Sequence, residues 1–183
     1  MFAQVPESAR ATICNRLTTD SLEQLALNNS VIVKTLVWPD EAATVAFATQ
    51  LAAALTRVHL NACIALHGDL GAGKTTLVRH LLRALGVEGR IKSPTYAVVE
   101  PYSVDAGELW HFDFYRFSDP REWEDAGFRD IFASPGLKLC EWPQNAAGVM
   151  PTPDLTLDIQ VDEDTQRHVQ ITALTPLGEA LLT

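Results

Sequence analysis

The eight residues Gly68-Asp69-Leu70-Gly71-Ala72-Gly73-Lys74-Thr75 fit the pattern G-x-x-x-x-G-K-[ST] at every required position. Residue types in this order suit one piece of chemistry, the holding of a nucleoside triphosphate. The glycines let the backbone turn so that its N–H groups converge on phosphate oxygens, and a helix that starts where the loop ends sets the positive end of its dipole against the same anion. Lys74 is expected to reach the β- and γ-phosphates. Thr75 is expected to offer its hydroxyl to Mg2+, a cation that takes few protein ligands and completes its shell with phosphate and water. On this reading Gly68, Asp69, Leu70, Gly71, Ala72, Gly73, Lys74, Thr75 and Thr76 all belong to the nucleotide site.

Ligands of open α/β sheets sit beyond the carboxyl ends of the strands, so acidic residues at strand ends are the first candidates for the metal and the attacking water. Asp113 follows an apolar-rich strand and is expected to hold Mg2+ or to orient its water. Glu141 closes the run Leu137–Cys140, where a carboxylate is either a metal ligand or a surface residue capping the strand. Ser93 and Thr95 flank a proline in a loop, a place where a segment can order around a γ-phosphate and relax after hydrolysis. Trp142 suits stacking on a base, although packing is the commoner role of an isolated Trp. His67, His111 and His168 show no metal-ligand spacing and read as structural or solvent-facing.

These groups need a scaffold, and the flanking segments supply its outline. Ala62–Leu66 reads as a short buried strand before the glycine loop, and Thr76–Leu85 as a helix closed by Gly86. Val31–Val37 is rich in β-formers and breaks at Trp38-Pro39-Asp40. Along Glu41–Val58 the apolar residues Phe47, Leu51, Leu55 and Val58 recur at helical spacing. Ala97–Tyr102 and Leu109–Tyr115, separated by Asp105-Ala106-Gly107, predict a hairpin. Asp119-Pro120-Arg121-Glu122 is a helix start with a cap and a reach-back glutamate, and that helix is expected to stop near Gly127. Gly136–Pro143 reads as a core strand ended by its proline. Leu155, Leu157, Ile159 and Val161 alternate with polar residues, as do Val169, Ile171 and Ala173, which predicts a second hairpin with one wet face. The fold expected is a three-layer α/β domain of the P-loop NTPase kind, over residues 31–183, with a mixed and partly antiparallel sheet. Residues 1–30 are expected to be a tail or a short accessory helix.

With 183 residues and 47% apolar side chains, the chain can bury one real core. Its formal net charge of −9 disfavours wrapping nucleic acid on a broad basic face. Cys14, Cys63 and Cys140 form no C-x-x-C and suggest reduced core residues rather than a zinc site. No apolar run approaches the length of a membrane span, and the first residues lack signal-peptide character, so a cytoplasmic place and no membrane partner are expected.

Four separated motifs, His67–Leu77, Lys92-Ser93-Pro94-Thr95-Tyr96, His111–Arg116 and Glu141-Trp142-Pro143, occur in an order that resembles the TsaE family of small ATPases. The similarity runs from about Val31 to Ala173. Members of that family take part in making threonylcarbamoyladenosine in tRNA, next to the anticodon. The resemblance implies that Lys74 and Thr75 hold phosphate and Mg2+, that Glu141 is a second Mg2+ ligand, and that Asp113 belongs to the second nucleotide motif. It further implies a switch-like loop at Thr95, Trp142 close to the site, an opening motif near the base that contains Glu41 and Thr44, and a late nucleotide contact at Arg167. The implied cofactors are ATP and Mg2+. The implied partners are a threonylcarbamoyl-transferase subunit and its non-catalytic homologue, with tRNA reached indirectly through them. A small-molecule kinase is the alternative activity, though no cluster of arginines suited to a lid is visible. A GTPase is disfavoured because neither N-K-x-D nor D-x-x-G occurs.

Overall fold

The computed structural model of the chain describes residues 32–183. The accessory segment expected over residues 1–30, with Cys14, lies outside the described residues. Seven strands form one sheet: β1 (Val33–Trp38), β2 (Cys63–His67), β3 (Val99–Val104), β4 (Gly107–Asp113), β5 (Leu137–Glu141), β6 (Leu155–Val161) and β7 (Arg167–Ala173). Their order across the sheet is β1-β7-β6-β2-β5-β4-β3. The middle, β6-β2-β5-β4, is parallel, and the two expected hairpins, β3–β4 and β6–β7, make the antiparallel ends. β1 adds itself antiparallel to β7. The mixed sheet therefore follows the expectation.

Helices cover both faces of the parallel middle. α1 (Glu41–Arg57) begins where Asp40 accepts a hydrogen bond from the Ala43 amide at 2.9 Å. α2 (Lys74–Ala84) follows the glycine loop directly and buries Leu77, Val78, Leu81 and Leu82. Together with the C-terminal α5 (Pro176–Leu182) they enclose an aliphatic core against Ile64, Leu66, Leu139, Leu157, Ile159 and Ile171. The opposite face carries an aromatic core of Phe112, Phe114, Phe117, Trp123 and Phe128, closed by α3 (Pro120–Asp125) and α4 (Phe128–Ala133). The rings of Phe112 and Phe128 meet edge to face at 5.3 Å, the geometry their quadrupoles favour.

Period-two alternation in β4 and β5 assigns side chains to these two layers. Phe112 and Cys140 go to the aromatic side, whereas His111, Asp113, Leu139 and Glu141 point to the side of the glycine loop. Site chemistry and aromatic packing thus share the same strands without competing for space.

Two local expectations need correction. Ala97 and Val98 belong to a turn, not to β3, because the Val98 amide bonds the Pro94 carbonyl at 2.7 Å and Val98 adopts φ 66°. The strand expected to run to Tyr115 ends at Asp113, whose carboxylate accepts from the Tyr115 amide and turns the chain. The capping box at Asp119 and Glu122 is present as expected, and its helix does stop before Gly127. A further helix, α4, then starts at Phe128, because Gly127 in the left-handed region redirects the chain without ending helical structure.

Candidate nucleotide site

The glycine loop joins β2 to α2 at the carboxyl end of the parallel strands, the place where open α/β sheets bind ligands. Gly68 and Gly73 hold φ of 134° and 111°, conformations L side chains rarely adopt. At Gly68 a side chain is excluded twice over, since a Cβ there would stand 2.3 Å from the Ile159 carbonyl oxygen. The loop is in this way locked against β6.

A cavity of about 300 Å³ opens over the loop. Leu70, Gly71, Gly73, Lys74, Thr75 and Thr76 line it from the loop and α2, Ser93, Thr95, Asp113 and Tyr115 from the opposite bank, and Glu141 and Trp142 from the end of β5. The sequence-predicted catalytic and metal residues Lys74, Thr75, Thr95, Asp113 and Glu141 therefore converge on one space. Gly68, Asp69 and Ala72 line the neighbouring cleft on the β6 side, which they share with Gln144, Asp158 and Gln160.

Lys74 is buried, and its ammonium donates to the Gly68 and Asp69 carbonyls at 2.7 and 2.8 Å. Its Nζ also lies 4.0 Å from the centroid of the Trp142 ring, a cation–π contact. Burial pulls the Lys74 pKa down from its ordinary value, opposed by the charges of Glu141, Asp113 and Asp69. The Thr75 hydroxyl meets both carboxylate oxygens of Glu141, at 2.8 and 2.9 Å. A hydroxyl and a carboxylate side by side are hard oxygen donors, and they fit a Mg2+ ion that takes one or two protein ligands and the rest from phosphate and water. Among the described residues no group of three or more His, Cys, Asp or Glu side chains is arranged to hold a metal by itself. The donor set matches an ion bound jointly with a nucleotide.

The Asp113 carboxylate is held on both oxygens by groups of its own chain. Its Oδ2 accepts from the Thr95 hydroxyl at 2.7 Å and from the Ser93 hydroxyl, and its Oδ1 accepts from the Tyr115 amide at 3.0 Å. The loop that carries Thr95 is thereby tied to the end of β4. Trp142 sits in the left-handed region at φ 58° and packs against Tyr115, ring centroids 5.0 Å apart, so its face is directed at Lys74.

Glu41, Thr44 and Arg167 gather elsewhere, around a smaller cavity of about 150 Å³ with Trp38, Ala72, Gly73 and Thr76. It lies on the other flank of the glycine loop, where a Cβ on Gly73 would be 3.8 Å from the Arg167 Nε. Arg167 donates to the Thr165 carbonyl at 2.7 Å, and Glu41 engages His80 of α2 at 2.7 Å. The structure thus brings these three residues together and sets them apart from Trp142, which lines both the cavity over the loop and the cleft on the β6 side.

Sequence reasoning missed His111. It is fully buried, and its Nε2 lies 2.8 Å from Glu141 Oε1. The signal was the spacing of His111 and Asp113, two residues apart in a strand and so on one face. His67 remains structural in character: burial lowers its pKa against the opposing effects of Asp158 and a bond to Gln144. His168 pairs with Asp162 at the exposed end of β7, in keeping with a solvent-facing residue. Among the described residues no helix is long and apolar enough to cross a membrane.

Comparison with known proteins agrees with this architecture. The family profile described as "Threonylcarbamoyl adenosine biosynthesis protein TsaE" matches residues 38–169. The tRNA threonylcarbamoyladenosine biosynthesis protein TsaE of Haemophilus influenzae is 39% identical over 146 residues, 79% of this chain and 92% of its own. The Bacillus subtilis protein of the same name is 34% identical over 111 residues, covering 61% and 69%. The crystal structure of Bacillus subtilis YdiB superposes with a TM-score of 0.62 at 28% identity, over 82% of this chain and 93% of that one. With the profile spanning most of the α/β domain and the sheet, loop and strand-end carboxylates in place, the chain belongs to the TsaE family.

Proposed function

We propose that this protein binds ATP with Mg2+ and hydrolyses it slowly in support of threonylcarbamoyladenosine formation in tRNA. The observation that carries the reading is the convergence of Lys74, Thr75 and Glu141 on one cavity over the glycine loop. Lys74 neutralises the β- and γ-phosphates, and the loop amides cradle them. Thr75 and Glu141 hold Mg2+, which supplies positive charge against the phosphate oxygens. Thr95, tethered to Asp113, senses the γ-phosphate, and Asp113 steers the incoming water. A water oxygen then bonds to the γ-phosphorus as the bond to the bridging oxygen breaks, which gives ADP, inorganic phosphate and a proton. Glu41, Thr44 and Arg167 take the nucleoside end on the far flank of the loop, and Trp142 covers the phosphate end.

The names of the relatives support a place in the tRNA pathway. The partners in this reading are a threonylcarbamoyl-transferase subunit and its non-catalytic homologue, in the cytoplasm. The acidic charge of −9 fits contact with tRNA through such partners rather than directly. Hydrolysis depends on positioning, so the isolated protein is slow and the partners accelerate it. The test is Lys74→Ala in the gene together with hydrolysis measured alone and with the two partners. Loss of the modified adenosine from cellular tRNA is expected. Unchanged tRNA, or transfer of phosphate to a metabolite instead of water, would sink the reading.

A further inference from the structure

His111 stands in the aliphatic layer with no exposed surface, and Glu141, its one hydrogen-bond partner among the described residues, is 2% exposed. The parallel pairing of β4 and β5 sets Asp113 opposite Glu141 and His111 opposite Leu139, so the imidazole reaches the carboxylate from one residue pair deeper in the sheet. Glu141 Oε1 accepts at 2.8 Å, which requires the proton on Nε2. The other nitrogen, Nδ1, is buried and has no hydrogen-bond partner among the described residues. A buried nitrogen left without a partner carries its desolvation cost uncompensated, and a leucine in its place would carry no such cost. Stability therefore does not explain the imidazole; its bond to Glu141 does.

We propose that His111 is a positioning residue that fixes the Glu141 carboxylate for the cation, a claim that rests on Glu141 being a Mg2+ ligand. The terminal torsion of a glutamate is broad and roughly two-fold, so an isolated carboxylate at a strand end rotates freely. Here Thr75 engages both oxygens from α2, and His111 holds Oε1 from the strand side. The carboxylate is clamped between two elements, in the way that outer hydrogen bonds orient the ligands of metal sites.

The experiment uses the full chain and two variants, His111→Leu, which removes the donor, and His111→Gln, whose amide nitrogen can stand where Nε2 stands. Binding of a fluorescent non-hydrolysable ATP analogue is titrated with Mg2+ and repeated in chelator, and imidazole 15N shifts are recorded for the unmodified protein. His111→Leu is expected to raise the Mg2+ midpoint by about 10–100-fold while affinity in chelator stays unchanged. His111→Gln is expected to restore most of that loss, and the 15N pattern is expected to show a proton on Nε2. A wild-type midpoint in His111→Leu, or an Nδ1-protonated tautomer, overturns the proposal. So does a folded His111→Gln as impaired as His111→Leu. If His111→Leu does not fold, the glutamine variant and the tautomer decide. Glu141→Gln separates the two readings: an unchanged Mg2+ midpoint there refutes Glu141 as a ligand, whereas a shifted midpoint there beside a normal His111→Leu refutes only the positioning.

Discussion

The Thr75 hydroxyl lies 2.8 Å from Oε1 and 2.9 Å from Oε2 of Glu141, joining the first turn of α2 directly to the last residue of β5. Residues 66 positions apart in the chain are held together by the register of two strands and by the helix that the glycine loop starts. Because the acceptor is a largely buried carboxylate, the bond belongs to the stronger, charge-assisted class.

That contact gives a double-mutant cycle. Thr75→Ala and Glu141→Gln in the nucleotide-free protein should couple favourably by about 1 kcal/mol or more in chemical denaturation. Each single change should also flatten the Mg2+ dependence of nucleotide binding. A coupling of zero means that the two side chains do not meet in solution.

The glycines of the loop make a contrast between space and backbone strain. Gly68→Ala should be severely destabilising, with a Cβ 2.3 Å from the Ile159 oxygen at φ 134°. At Gly71 nothing lies within 4 Å of the added Cβ, so Gly71→Ala meets only the strain of φ 84°, about 1–2 kcal/mol. Thermal unfolding of the pair checks the order, and equal losses would contradict it.

Lys74 and Trp142 should separate in nucleotide titrations. Lys74→Ala removes the buried ammonium and should weaken triphosphate binding by about two orders of magnitude, as fits a lost charge-assisted contact in a dry site. Trp142→Ala removes a ring 4.0 Å from that ammonium and should cost about 1–2 kcal/mol of affinity. A tryptophan variant as weak as the lysine variant would mean that the ring contributes as much to binding as the ammonium does.

Lys138 gives a pH prediction away from the site. It is buried on the aromatic face of β5, donates to the Ser134 carbonyl, and sits 5.0 Å from the Trp110 ring centroid. Burial lowers its pKa below the ordinary 10.5, with Cys63 and Cys140 opposing. Between the lowered value and 10.5 the unfolded chain binds more protons, so this group's contribution makes stability rise with pH across that window. Below the lowered value the cost of the buried charge is fully present. Lys138→Met should be neutral or stabilising at pH 7, and its advantage over the unmodified protein should shrink as pH approaches 10. Urea denaturation of both chains at the two pH values measures it, and an advantage that grows with pH would refute the assignment.

Local rules explain why much of this site could be read in advance. The glycine loop needs left-handed backbone at Gly68, Gly71 and Gly73 and a lysine and threonine at the start of a helix, and all of that is written within eight residues. The cap at Asp119, the hairpin turns and the alternation in β6 and β7 are equally local, and they hold in the structure. The strand-end carboxylates Asp113 and Glu141 could be nominated because each closes an apolar run. Their division of labour could not, since it depends on which strand lies next to which. Strand order sets β5 between β2 and β4, and that adjacency alone brings His111 to Glu141 and Glu141 to Thr75. Ser93 and Thr95 reach Asp113 only because the turn at Val98 folds their loop back along β4. The sequence by itself determined the phosphate loop, the helix that follows it and the alternating faces of the strands, because those depend on backbone preferences and periodicity within a few residues. Only the tertiary structure decided which side chains share hydrogen bonds, because the pairing of distant strands is fixed by the packing of the whole sheet against its two cores.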